Sequence, residues 1–510
     1  MSVAPLPQGW CVATIMDTSA VSGGATPSKA DASFWAGGTI PWVSPKDMKR
    51  FVLTGSEDVV TAKALDRLTL IPANSILVVV RSGILSRTLP VAINTVPVTI
   101  NQDLRAFVPS RSVEPRYVAW QLIANEREIL DRCSKDGTTV ASIEGPALAS
   151  YPFAIAPAAE QARIVDKLEE LLSDLDAGVA ELKAAQKKLA QYRQSLLKSA
   201  VEGRLTEAWR AQHGEPEESG AQLLARILRE RRARWEAKQL VKFEAQGKAP
   251  QKGWQNKYPE PLTPEQAELE ALPVGWTWVT IDQLADVGTG VTPLRSKPQY
   301  FANGTIPWVT SGALNDEVVK AAKEHVTDLA IKECRLELYP PGSLLVAMYG
   351  EGKTRGKCAE LPFAATLNQA IACLVFESAA NACKDYVKTF LLKSYELMRE
   401  QASGGVQPNL NLQIVKSIVL PLPPLSEQSA IGSSIIEHFE QLHQQAEAIP
   451  RALRQSAAQR KNILQAAFSG QLVPQDPNDE PASELLARIR AERESRLAKA
   501  RKPRATKESA

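Results

Sequence analysis

The 510-residue chain has only four histidines and six cysteines. The cysteines (Cys11, Cys133, Cys334, Cys358, Cys373, Cys383) form no CxxC pair and have no histidine at metal-ligand spacing, which argues against structural zinc. They read as reduced thiols of a cytosolic protein, and no metal site is expected. No run of 18 apolar residues exists, so no membrane span is expected. MSVAPLPQGWCVATI lacks a basic start followed by an apolar core, so no signal peptide is read there. Neither charge sign dominates. Residues 1–157 carry 14 Lys+Arg against 13 Asp+Glu, and residues 266–424 carry 14 against 16. Neither region would grip any polyanion indiscriminately, so nucleic acid would have to be met by local patches and with help from partners.

Catalytic patterns are missing as well. Pro-Pro occurs only at Pro340-Pro341 and Pro423-Pro424, with the wrong neighbours for the Asn/Asp-Pro-Pro-aromatic motif of an amino-methyltransferase. No dinucleotide-type glycine fingerprint follows a strand. Gly350-Glu351-Gly352-Lys353-Thr354 ends like a phosphate loop, but Ala347 stands where the first glycine belongs. Asp174, Asp176, Glu181 and Lys183 mimic a nuclease set but fall in a helical stretch. The chain is therefore expected to be non-catalytic, with no cofactor of its own.

What is present is a heptad. Leu168, Leu175, Leu182, Leu189 and Leu196 recur every seven residues. Such a line, with charges between, predicts a long helix that packs on another helix. At 1.5 Å per residue it would be roughly 60 Å long. Moving 267 residues on gives Ile435, Leu442, Ile449, Ser456 and Ile463, a second copy of the stripe. The expected coiled-coil interface is the five leucines with Ile435, Leu442, Ile449 and Ile463. Pro450 lies inside the second pattern, and a bend or short break is expected there.

The repeat extends over the chain. LPQGW at 6–10 returns as LPVGW at 272–276, and FWAGGTIPWVS at 34–44 as YFANGTIPWVT at 300–310. INQ at 100–102 answers LNQ at 367–369, and AAEQARI at 158–164 answers LSEQSAI at 425–431. QLLARILRERR at 222–232 answers ELLARIRAERE at 484–494. The order is kept, so a unit of about 260 residues is duplicated in tandem, far above solenoid periods. The expected fold class is α+β: two mixed, β-rich globular units (1–157 and 266–424), two long helices (158–202 and 425–469) paired antiparallel, and pseudo-twofold internal symmetry. Residues 203–265 read as a polar, helical linker. Residues 470–510 read as a helix and a partly disordered basic tail, RKPRATKESA. The two basic helices are equally compatible with a solvated face and with contact to DNA or a partner.

This arrangement resembles the specificity (S) subunit of a type I restriction–modification system. The features that carry the resemblance are the repeated TIPWV after a TP turn, the late NQ pair, the SEQ-type start of each rod, and two globular units alternating with two rods. It implies that the globular units are target recognition domains, each reading one half of a split double-stranded DNA sequence, with the helices as spacer. It implies two methylation (M) subunits that carry S-adenosylmethionine, and restriction (R) subunits that use ATP with Mg, as partners in the cytoplasm. An unrelated coiled-coil assembly protein with duplicated ligand-binding domains is the alternative. The two differ in that a reader should keep its rods alike and vary its reading loops.

Candidate DNA contacts follow from residue type and loop position. The early loops offer Thr26, Ser28 and Lys29, and Thr292, Arg295, Ser296 and Lys297. VVRSGILSRT offers Arg81, Ser82 and Arg87. The glycine-rich loop GEGKTRGK offers Lys353, Arg355 and Lys357. Loops before the rods offer Thr138 and Thr139, and Gln407 and Asn409. The Asn101-Gln102 and Asn368-Gln369 pairs and Trp42 and Trp308 occur in both copies. Halves that read different bases would not share their readers, so these are expected to be structural. His438 and His443 are expected on the surface of the second rod.

Overall fold

The computed structural model describes residues 6–135, 140–265, 269–349, 354–403 and 410–501. They form two compact units: residues 1–183 with 449–510, and residues 184–448. Each unit therefore takes chain from both halves of the duplication.

In the first unit a five-stranded sheet runs in the order Ser19–Gly23, Leu104–Pro109, Ile76–Val79, Val91–Asn94, Val52–Leu53. A three-stranded sheet places Ile40–Val43 between Asp58–Val60 and Thr99–Ile100, with Trp42 opposite Asp58 and Thr99. Cys11–Thr14 pairs with Pro152–Ile155 and closes the domain. The second unit repeats the plan. Its four-stranded sheet runs Asp286–Thr289, Ile371–Val375, Leu344–Ala347, Cys358–Glu360. Its three-stranded sheet sets Trp308 opposite Glu324 and Thr366. Thr277–Thr280 pairs with Val419–Leu422. The late helical stretch of the first domain is two helices, Pro115–Ala124 and Glu126–Cys133, separated at Asn125. In the second domain one helix runs Lys384–Ser403.

The rods are helices Ala158–Val201 and Leu425–Phe468, 44 residues each. Pro450 lies inside the second, which runs through it without a break. Of the two outcomes expected at that proline, the break does not occur. Pairing is antiparallel within each unit. In the first, Arg163 meets Asp479 and Asp176 meets Arg460, so later positions on one rod face earlier positions on the other segment. In the second, Arg193 lies over the Phe439 ring at 4.6 Å, and Thr206, just past the first rod, donates to Glu427 at 2.6 Å. Leu168, Leu196, Ile435, Ile449 and Ile463 are buried, whereas Leu175, Leu182, Leu189 and Leu442 are half-buried. Two helices alone cover one face of each other, so the middle of the stripe keeps an open flank.

The stretches read as linker and tail belong to the cores. Helix Gly220–Ala245, here called the first strap, buries Leu223 and Ile227 in the second unit's core. Helix Ala482–Arg501, the second strap, buries Ala482, Leu485, Leu486 and Ile489 in the first. Burial of a large aliphatic side chain stabilises by about 2 kcal/mol, which outweighs anything a solvated charged face supplies. Each strap thus follows the rod of one copy and docks on the domain of the other. The docking is the same in both units: Gly220 N–H donates to Gly275 O at 2.7 Å, and Ala482 N–H to Gly9 O at 2.8 Å. Between rod and strap the chain turns at Gly203 (φ +75) and Gly470 (φ +73), where a Cβ would lie 2.7 Å from Pro273 and 2.3 Å from Pro7. RKPRATKESA lies outside the described residues beyond Arg501.

The rod starts explain two repeated motifs together. Trp10 Nε1 donates to Glu160 at 3.0 Å, and Trp276 Nε1 to Glu427 at 2.7 Å, all four buried. Gln161 and Gln428 each donate at 2.8 Å to a carbonyl five residues earlier, Ala156 O and Pro423 O. The GW and EQ motifs thus recur because they hold each other. The ion pairs beside them have opposite polarity. In the second unit the segment before the strap supplies Arg210 to Glu427 of the rod. In the first it supplies Asp479 to Arg163 of the rod, at 2.6 Å.

Candidate nucleic-acid interface

The early loop of each domain leaves a sheet-edge strand and is fixed at its root. Ala25 N–H donates to Ile100 O at 3.1 Å, and Val291 N–H to Leu367 O at 3.0 Å. The preceding residues, Gly24 and Gly290, pass so close to the neighbouring strand that a Cβ would sit 2.1 Å from Asn101 O and 1.7 Å from Leu367 O. The indole of Trp42 donates to Ala25 O at 3.1 Å, and that of Trp308 to Val291 O at 3.2 Å, with both rings buried. The Thr26 hydroxyl donates to the Gln102 side chain, and the Thr292 hydroxyl to Gln369. Asn101 and Asn368 accept from Asp103 N–H (3.1 Å) and Ala370 N–H (3.2 Å) and so hold the turn. Tryptophan and the Asn-Gln pair are the mount of the loop, which accounts for their presence in both copies.

In the first unit three loops converge on the Asn101–Asp103 turn. Thr26 reaches Gln102. Arg81 N–H donates to Asp103 O at 3.2 Å and bridges Ser142. Ser82 N–H donates to Ala141 O at 3.1 Å, and its hydroxyl caps the turn Gly83–Ser86, with Arg87 exposed just after. Thr26, Arg81 and Ser82 are thereby brought to one region; Ser28 and Lys29 follow on the early loop, with Lys29 making no ion pair among the described residues. Arg105 joins them, donating to Gln102 O at 3.3 Å and Leu104 O at 2.9 Å. Its sequence gives no signal of this, because a lone arginine in a strand carries no motif.

The second unit uses the same mount with different chemistry. Tyr349 N–H donates to Ala370 O at 3.3 Å, as Arg81 does to Asp103, so an aromatic residue replaces a cation. Arg295 is engaged: it forks onto Glu324, at 2.9 Å in one arm, and lies 5.1 Å and 5.2 Å over the Phe301 and Trp308 rings. The hydrogen bond from Arg295 holds Glu324 below the ordinary carboxylate range. Lys297 donates to the Tyr300 hydroxyl at 3.0 Å, near Glu333. Thr292 and Ser296 are on the same loop, with Ser296 exposed. Arg355 and Lys357 are half-buried, with Lys357 donating to Asn315 at 3.0 Å. Thr138, Thr139, Lys353, Gln407 and Asn409 lie outside the described residues.

No group of three His, Cys, Asp or Glu that could hold a metal occurs among the described residues, and no described helix is long and apolar enough to cross a membrane. His438 and His443 sit on the second rod, bonded to Ser434 O and paired with Glu447.

A model of the type I restriction modification DNA specificity domain matches residues 7–184 and again 273–451. The chain belongs to this family. Both specificity domains take in a globular unit and the start of the rod that follows it. The specificity subunit of the EcoR124I/EcoR124II type I restriction enzyme of Escherichia coli is 41% identical over 180 residues, 34% of this chain and 45% of that one. The chain thus matches less than half the length of that relative. The MjaIX specificity subunit of Methanocaldococcus jannaschii is 24% identical over 86% of this chain and 89% of its own. A solved chain, described in work on complex assembly and conformational transition of the type I restriction–modification system, superposes with a TM-score of 0.65. It shares 15% identity, covers 92% of this chain and 100% of its own length, and supports the fold.

Proposed function

We propose that this chain is the non-catalytic DNA-reading subunit of a type I restriction–modification complex. Each globular unit reads one half of a bipartite double-stranded sequence. Two methylation subunits that bind S-adenosylmethionine methylate adenine there, and restriction subunits using ATP with Mg complete the assembly in the cytoplasm. One observation carries this reading: one loop mount is built twice in a single chain, and what it presents differs. The first presents Lys29 and Arg81, and the second Tyr349 and an Arg295 already held by Glu324. Rigid support with varied tips is the design of a recogniser with two targets. Chemistry on a base requires it to leave the stack, and the pocket that receives it is assigned to the methylation subunits.

The open flank of the rods supports docking of those subunits. In the second unit a cleft of about 660 Å³ is lined by Leu189, Ile435, Phe439 and Leu442, with Ile436 61% exposed beside it.

Co-expression with cognate methylation subunits is expected to give a complex that methylates one bipartite sequence, read by sequencing methylated adenines. A complex that methylates no sequence and prefers no half-site would overturn the proposal. Four residues inserted at Lys183 add about 6 Å of helix. They are expected to change the gap between half-sites and to leave each half-site unchanged. An altered half-site with an unaltered gap would count against the rods as spacer.

A further inference from the structure

The first strap carries a run of lysines on an aromatic support. Beyond its docked half, residues 238–258 hold five lysines, Lys238, Lys242, Lys248, Lys252 and Lys257, against the single acid Glu244. All five are exposed, and none makes an ion pair among the described residues. The docked half behaves differently: Arg231 pairs with Asp286 at 3.0 Å and Arg234 with Glu377 at 2.6 Å.

The lysines are held on a shaped support. The helix ends with Gly247 N–H on Glu244 O and Lys248 N–H on Phe243 O, and the chain folds back. Trp254 stacks on Trp235 (5.8 Å between centroids, 24° between planes) and meets Phe243 edge-on. Tyr258 closes the cluster against Trp235 at 5.4 Å. Three lysines of the returning segment are thus clamped beside two on the helix. The second strap has no such tryptophan clamp, because the chain has no tryptophan after Trp308.

We infer that this lysine cluster binds the phosphate backbone of DNA beside the half-site read by the second unit. The inference rests on the DNA-reading role proposed above. Lysine is a hydrated point charge on a flexible stem, suited to phosphate positioning and depleted from the cores of protein interfaces. Five like charges gathered without counter-ions gain by releasing the counterions of a polyanion. The second unit needs such an aid more than the first, since its loop cations Arg295 and Lys297 are neutralised by Glu324 and Glu333.

The test uses the complex with methylation subunits, its mapped duplex and a scrambled duplex, at about 50–200 mM salt. Replacing all five lysines by glutamine is expected to lower the slope of log affinity against log salt by about 0.9 for each phosphate no longer neutralised, or roughly 4.5 if all five lysines touch phosphate. The preference for mapped over scrambled duplex is expected to stay. Leu240→Ser with Val241→Ser, which removes the exposed aliphatic pair between the first two lysines, is expected to leave the slope unchanged. A slope unmoved by the glutamines overturns the inference, as does a slope moved by the serines. Lost subunit assembly at an unmoved slope reassigns the patch to a protein partner and overturns it too. A wild-type complex that holds both duplexes equally instead overturns the sequence-reading proposal.

Discussion

Trp308→Ala is expected to erase recognition of one half-site and spare the other. The ring is 2% exposed, packs with Tyr300, Val326, Ala330 and Leu336, and meets Phe301 edge-on at 6.1 Å. Truncating a buried tryptophan costs about 3–5 kcal/mol. Here the loss falls on a five-residue satellite core, which has little else to draw on. The indole N–H that holds Val291 O goes too, and with it the root of the loop bearing Thr292 and Ser296. Binding to duplexes randomised in either half should show preference lost in one half only. Trp42→Ala should do the same for the other half, since its indole holds Ala25 O. Trp308→Phe keeps most of the packing and loses the hydrogen bond, so a smaller loss of about 1–2 kcal/mol is expected. Unchanged preference in both halves would show that the tryptophans do not govern the loops above them.

Glu427→Gln and Glu160→Gln are expected to differ sharply although the two acids are equivalent in the duplication. Glu427 accepts from Trp276, Thr206 and Arg210, and is buried. Removing its charge leaves the partly buried Arg210 unpaired and should destabilise the second unit by about 3 kcal/mol. Glu160 accepts from Trp10, but its other oxygen is buried without a partner. Burial raises its pKa above the ordinary carboxylate value, against the lowering effects of Trp10 and Arg163. The folded chain therefore holds this proton more tightly than the unfolded chain does. Its contribution to stability is present at pH below the unfolded pKa and is lost as pH rises through the raised, folded one. Glu160→Gln should therefore cost less than Glu427→Gln and should flatten the pH dependence of unfolding of the first unit. Denaturant melts at a series of pH values from below the ordinary glutamate range upward check both variants. Equal losses from both would show that the polarity of the neighbouring ion pair does not matter.

The long helices and the two domains were legible because duplication printed each signal twice. A heptad leucine line is unambiguous, and TIPWV with NQ marks equivalent places in each domain. The straps were not legible. Leu223 and Ile227, or Leu485, Leu486 and Ile489, are few apolar residues in a charged helix, and nothing local says that they meet the domain of the other copy. The loop mount was half legible. Thr26 and Gln102 each stood out, but their bond spans 76 positions. Arg295 shows the remaining gap. Its loop position advertises a phosphate contact, whereas Glu324, 29 residues on, already occupies it.

The exchange of straps also bears on how the chain is made. Residues 184–448 are contiguous, so the second unit has every part it needs once Ala448 has emerged. The first unit, though begun earlier, lacks Ile463, Ala467, Leu485, Leu486 and Ile489 of its core until the chain has been made as far as residue 489, after the whole of the second unit. The ribosome therefore delivers the later unit complete while the earlier one waits with an apolar face uncovered, until helix Ala482–Arg501 seals the first domain to begin.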